Sequence, residues 1–336
     1  VTNYPRGKNA LRGPFTRFQP RDTIQWFKER GVELKTEADG RMFPITDSSQ
    51  TIIDCLTNEA KKTGVHIYLE SDVERIERDE AAFELFLANK KTMQAKTLIL
   101  ATGSNRKVFS WLQSLGHTIV PCVPSLFTFN IANFGLVDIA GVSVPSAHVS
   151  VLGIEQTGPL LITHWGFSGP AVLKASAWGA RLLHDCAYKA DVTINWLSNV
   201  SYEQKLQMLA MLKQEHPKKH ISSICPFALP QSLWKALLSR AQINPSMRLA
   251  DASKHDFIRL VDVLHRDVYK IDGQTTNKEE FVTCGGVALD EVNFKTMESK
   301  KIAGMYFAGE VLDIDGVTGG FNFQNAWTTG WIAAGS

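Results

Sequence analysis

The 336-residue chain has no Cys-x-x-Cys pair, no Gly-x-Gly pair, no long apolar run and little net charge. Each absence excludes something. Without Cys-x-x-Cys there is no zinc ribbon and no dithiol redox motif of the usual spacing. Five scattered cysteines (Cys55, Cys122, Cys186, Cys225 and Cys284) form an odd set, which speaks against a secreted disulfide framework. They read as thiols of a cytoplasmic protein. No apolar stretch approaches the ~18 residues of a membrane span, and no signal peptide opens the sequence. With 36 basic and 34 acidic side chains the formal charge is +2, which argues against a general nucleic-acid binder. What is present is ordinary for a globular protein: 44% hydrophobic and 21% charged residues, in a length that suits about two domains.

The periodicity changes along the chain. Thr16 to Gly31 carries Phe18, Ile24 and the Trp26-Phe27 pair as core, with Asp22 placed to cap a helix through Gln25 to Arg30. Ser49 to Thr63 has a helical apolar stripe that Gly64 stops. His66 to Glu70 reads as a strand, and Val73–Arg78 and Phe83–Leu87 as half-buried antiparallel strands. The acidic run from Glu70 to Glu84 reads as their solvent face. Thr97 to Leu100 reads as a strand buried on both faces, ending at Ala101-Thr102-Gly103. Residues 107–195 look β-rich, and 201–270 switch to helices, with Ser201 and Gln204 as a capping box and a stripe from Ser253 to Tyr269. Phe281 to Leu289 is extended, and Gly304 to Trp331 is a strand, a glycine loop and a helix.

That last segment carries the strongest chemistry. A buried strand ends in Gly309-Glu310, a loop through Asp313 reaches Gly319-Gly320, and Phe321-Asn322 opens a helix. Paired glycines let backbone approach a ligand closely. A helix N-terminus offers free N–H groups and a positive dipole end. An acidic group at the strand end can accept hydrogen bonds from hydroxyls. Together they suit a ligand with a polyol chain and an electron-rich ring edge, as in a flavin. Other signals are weaker. Gly166-Phe167-Ser168-Gly169 is not a nucleophile elbow despite the nearby His164. His216 and His220 have Pro217 between them and no third ligand, so no metal site is read.

The run Gly309 to Gln324 resembles the C-terminal flavin motif of the BaiN/YhiN-type FAD-dependent oxidoreductases. Four further stretches resemble the same family in order: Gly40-Arg41-Met42-Phe43-Pro44 with Asp47, Leu100 to Gly103, Leu161 to Pro170, and Cys284 to Val287 followed by Lys295 to Ser299. The resemblance implies an α/β architecture. A Rossmann-like FAD/NAD(P)-binding domain (1–106 and 298–336) would carry a β-barrel-like insert (107–197 and 273–297) and a small helical subdomain (198–272). It implies FAD contacts at Val73, Thr102, Gly103, Gly309, Glu310, Asp313, Gly319, Gly320, Phe321 and Asn322. Arg41 and His164 are the candidate catalytic groups, with Arg41 and Pro44 lining the flavin or its substrate side. The implied activity is hydride transfer through flavin N5, with NAD(P)H as reductant and a small-molecule substrate, without nucleic acid or membrane.

The sequence departs from the family pattern in two places. The family opens with a Gly-x-Gly-x-x-Gly unit for the FAD pyrophosphate, and Val1-Thr2-Asn3 resembles the segment that follows it. The nucleotide-binding domain is therefore expected to be incomplete at its N-terminus. After Gly103, the family's long glycine/threonine loop is shortened to Ser104-Asn105-Arg106-Lys107. A silent ligand- or partner-binding module without FAD, and an RNA-modifying flavoprotein, stay open as alternatives.

Overall fold

The computed structural model describes residues 1–79, 82–275 and 282–336. Two compact units separate, Val1–Cys122 with Thr283–Ser336, and Val123–Val282. The boundaries therefore fall at 122/123 and 282/283. Residues 107–122 and 283–297, expected in the insert, belong to the first unit. Residues 80 and 81 of the acidic run, and Phe281, lie outside the described residues.

In the first unit, strand Leu98–Leu100 pairs in parallel with Met305–Phe307, which continues through Glu298–Ser299 to Val292–Asn293. Val73–Arg78, Phe83–Leu87 and Thr92–Ala95 form the expected meander. Leu11, Phe83, Leu100, Met305, Phe307 and Ile314 share the core. Helix Ser49–Lys62 ends at Thr63 before Gly64 at φ +77°, the left-handed turn that glycine favours.

Three local readings are corrected. Helix Pro20–Lys28 starts with Gln19 as N-cap, and Asp22 is the third helical residue, accepting from Gln19 N at 2.8 Å. Pro20 fits the first helical position because no N–H is needed there. Residues 66–70 form no strand: a strand needs a paired neighbour, and here Ile67 and Leu69 stay 53% and 80% exposed. Leu98–Leu100 stands at a sheet edge, so Leu100 is buried but Ile99 is not.

A buried clamp ties this unit together. His117 Nδ1 lies 2.8 Å from Glu291, and Ser299 Oγ lies 3.0 Å from His117 Nε2. Glu291 also accepts from Thr118 N at 3.0 Å and pairs with Lys301 at 2.6 Å. Burial holds the His117 ring below its ordinary pKa, partly opposed by Glu291. Burial alone would raise the Glu291 carboxyl, but donors from Lys301, Thr118 and His117 bring it down to about 2. Both shifts have one sign: unfolding takes up protons as pH falls. His117 loses its contribution below pH 6.5, and Glu291 loses its contribution from 4.5 down toward 2. Thermal midpoints should therefore fall on acidification from pH 7 to pH 4. His117→Gln should flatten the upper part of that profile while costing about 1–3 kcal/mol at neutral pH.

The second unit is a closed six-stranded barrel in the order Ile154–Ile162, Gly166–Ser168, Thr128–Ile131, Asp267–Thr275, Lys189–Asn195 and Ser143–Val151. Alternation builds it: Val144, Ala147, Val149 and Val151 point inward, with half-buried or exposed residues between. Helices Tyr202–Glu215, Gln231–Arg240 and Lys254–His265 pack on it, so Trp196, Leu209, Trp234, Leu260 and Leu264 form one core with the barrel residues. Ser201 and Gln204 do form the capping box. The stripe from Ser253 to Tyr269 is not one helix. It ends at His265, and Asp267 starts a strand. Asp267 is buried and accepts from Trp196 Nε1 at 3.0 Å, Tyr269 Oη at 2.6 Å and Arg240 Nε at 3.0 Å. Residues 107–195, expected to be β-rich, also carry helices Arg106–Ser114, Pro170–Trp178 and Ala180–Asp185. Among the described residues no helix is long and apolar enough to cross a membrane.

Candidate cofactor site

The parallel pair sets the geometry. Phe307 is in register with Leu100, and Ala308 N donates to Leu100 O at 3.0 Å. Ala101-Thr102-Gly103 and Ala308-Gly309-Glu310 therefore leave the sheet side by side at the carboxyl ends of adjacent parallel strands, where open α/β sheets bind ligands. Gly309 is at φ +73°, and a Cβ there would stand 3.3 Å from Ala326. Its N–H donates to Thr329 Oγ1 at 2.9 Å, which fixes helix Phe321–Ala334 against the strand end.

Gly320 is that helix's N-cap at φ +85°, without a capping side chain, and a Cβ there would meet nothing within 4 Å. The first-turn N–H groups, which no N-cap side chain satisfies, stand at the positive end of the dipole. Gly319, at φ +126°, lets the loop pass the Phe321 ring, 3.0 Å from where its Cβ would be. Glu310 is half-buried and has no hydrogen-bond or ion-pair partner among the described residues. Burial, and then the charge of Asp315, push its carboxyl above the ordinary range. A carboxylate in that position gains from hydroxyl donors. One turn into the helix, Asn325 is fully buried, and among the described residues neither amide atom has a partner, a cost of about 1–3 kcal/mol that a further polar partner would offset. An acceptor wanting hydroxyls, uncapped N–H groups and side-chain-free glycines fit the ribityl chain and the N1–C2 edge of a flavin.

The remaining expected residues fall as follows. Val73 starts the first meander strand, facing Leu87. Asp313 is half-buried, and its N–H donates to Val287 O at 3.1 Å. The Asn322 amide is engaged with Gly316 on both sides, Oδ1 accepting from its N–H at 2.7 Å and Nδ2 donating to its carbonyl at 3.1 Å. Asn322 therefore braces the loop. Arg41 is exposed and paired with Asp39 at 2.6 Å, beside Phe43. His164 is exposed on the turn before Gly166–Ser168, in the second unit.

The sequence reading missed the strap over this loop. Val317 N donates to Asn3 O at 2.9 Å, Tyr4 Oη donates to Phe321 O at 2.7 Å, and Arg6 pairs with Asp315. Burial pushes the Tyr4 phenol well up, so it stays a donor. Asn325 was also missed, since a buried orphan amide has no sequence signature.

A model of the HI0933-like protein Rossmann domain matches residues 1–336. The chain belongs to this family. It is 31% identical over 338 residues to the "Ribosomal RNA dihydrouridine synthase" of Escherichia coli K12, covering 97% of this chain and 80% of that protein. The Haemophilus influenzae protein of the same name is 30% identical, covering 96% and 81%. A "3-dehydro-bile acid delta(4,6)-reductase" of Clostridium scindens is 27% identical, covering 93% and 78%. The motif resemblance to BaiN/YhiN-type flavoproteins thus stands, and the family is one of oxidoreductases.

Proposed function

We propose that the chain binds FAD across residues 309–322 and reduces a carbon–carbon double bond conjugated to a carbonyl in a small molecule, with NAD(P)H as reductant. The observation that carries this is the unpartnered Glu310 carboxylate beside the uncapped Gly320 helix end. The relatives' names point to the bond type: dihydrouridine and a delta(4,6)-reductase both imply saturation of a double bond near a carbonyl. When bound, FAD supplies hydride transfer at N5.

The chain's part is to bind and orient. Glu310 accepts from cofactor hydroxyls. The N–H groups of Gly320, Phe321 and Asn322 would meet the flavin's electron-rich edge. The turn at Thr102 and Gly103 and the Val73 backbone would hold the nucleotide end, and Asp313 would support the loop. Arg41 and His164 are the candidates for substrate contact or proton supply.

Glu310→Ala should weaken FAD binding by about ten- to a hundredfold, the worth of hydrogen bonds to a charged group. Quenching of flavin fluorescence on titration with the chain reads this. Unchanged affinity, with the fold intact by circular dichroism, would remove Glu310 from the site.

A second reading is favoured by the two relatives named for ribosomal RNA. In it, the double bond is that of a uracil base in RNA. Reduction of free enones without any action on RNA would support the first reading, and the reverse the second.

A further inference from the structure

Helix Phe321–Ala334 leaves an aromatic stripe on the surface. Phe323, Trp327 and Trp331 are spaced by four and share one face. Phe323 is 67% exposed and Trp331 45%. The rings are already ordered. Phe323 stacks on Trp327 with centroids 5.9 Å apart, and Phe27 meets the edge of Trp327 at 5.5 Å. Phe18 stacks on Trp331 at 5.3 Å, and Arg17 lies over the same indole at 5.8 Å. Trp26 abuts Phe27 at 5.1 Å with Arg30 over it at 3.8 Å.

The segment that supplies Phe18, Trp26 and Phe27 is rich in basic residues. Residues 12–30 hold five basic side chains (Arg12, Arg17, Arg21, Lys28, Arg30) and two acidic ones (Asp22, Glu29), although the whole chain is nearly neutral. Exposed rings interleaved with cations suit stacked bases and their phosphates better than a lipid or an apolar peptide. The stripe also begins three positions after Gly320, so whatever lies on it ends at the cofactor loop.

We infer that this face is a stacking platform for single-stranded RNA. It holds the nucleotides that flank a base presented to the flavin. The inference rests on the second reading above. Phe323 and Trp331 take the bases, while Arg17, Arg21 and Lys28 meet the phosphates. The contact is local, which is why the chain as a whole needs no large basic excess.

The test is fluorescence anisotropy of a labelled oligouridylate of about eight nucleotides with the full chain pre-incubated with FAD. Binding should weaken with salt at a log–log slope of about −2, the value for three phosphate contacts to a single strand. Phe323→Ala and Trp331→Ala should each lose at least about tenfold in affinity, and Phe323→Trp should retain it. Arg17→Ala with Arg21→Ala should make the slope shallower by about 1.4. Visible absorption and circular dichroism of each variant show whether flavin and fold survive.

Three results would overturn the platform. The ring variants could bind as wild type does. The flavin-loaded chain could reduce enones yet ignore the oligonucleotide at low salt. Or sedimentation could show a dimer that Phe323→Ala dissociates, making the face a self-association surface. A chain that holds the oligonucleotide through these rings but takes up no FAD would keep the platform and lose the flavin reading.

Discussion

Gly286→Ala should destabilise the first unit by about 3 kcal/mol or more and remove flavin uptake with it. Gly286 sits at φ +135°, and a Cβ there would stand 2.6 Å from Val311 O and 2.7 Å from Leu312 C. Gly285, at φ +126°, is equally confined on the other side, 2.6 Å from Pro121 O. The two glycines let strand Val282–Val287 run between its partner strand Ile119–Ser125 and the cofactor loop. Val287 forms a parallel bridge with Leu312 and accepts from Asp313 N. A methyl group must therefore displace residues 311–313, the backbone that positions Glu310. Left-handed strain adds about 1–2 kcal/mol to the clash. Hydrogen exchange resolved by segment reads the outcome: amides around 283–316 lose protection, while those of the barrel keep theirs. Native protection together with normal FAD affinity would contradict this role.

Asp267→Ala should cost the second unit about 3–5 kcal/mol, the penalty for breaking a buried ion pair on one side. It would leave the Arg240 guanidinium, the Trp196 indole N–H and the Tyr269 hydroxyl facing a space without an acceptor. Arg240 ends helix Gln231–Arg240, Trp196 follows strand Lys189–Asn195 and Tyr269 lies in Asp267's own strand, so the carboxylate ties that helix and the end of the neighbouring strand to Asp267–Thr275. Asp267→Asn keeps the shape and one acceptor, and should cost clearly less. Chemical denaturation followed by tryptophan fluorescence distinguishes the two: equal midpoints for both variants would show that the acceptor kept by Asn contributes nothing, and a native midpoint for Asp267→Ala would show that the carboxylate does not stabilise this unit.

What the sequence revealed was set by distance along the chain. Local signals read well: the Ser201–Gln204 capping box, the Gly64 stop, the antiparallel strands Val73–Arg78 and Phe83–Leu87 and the strand–loop–helix from Met305 to Trp331 all depend on neighbours within a few residues. The turn before Pro20 misled because Asp22 and Gln19 exchange roles within one capping box. The stripe past His265 misled because an apolar pattern continues while the backbone changes from helix to strand. The run 66–70 has strand composition, but composition does not supply a pairing partner. The strap and the clamp were illegible for a stronger reason. Tyr4 and Phe321 are 317 positions apart, and His117 and Glu291 are 174 apart. Only the fold brings such pairs together.

The central claim is that residues 309–322 hold a flavin, and visible absorption tests it most directly. The chain is incubated with excess FAD, freed of unbound cofactor by gel filtration, and its spectrum recorded before and after anaerobic NAD(P)H. Flavin bands near one per chain that bleach with the reductant, and that are reduced in Glu310→Ala, are the predicted result. A folded but colourless chain that also fails to quench added FAD would contradict the account and leave a binding module without redox chemistry.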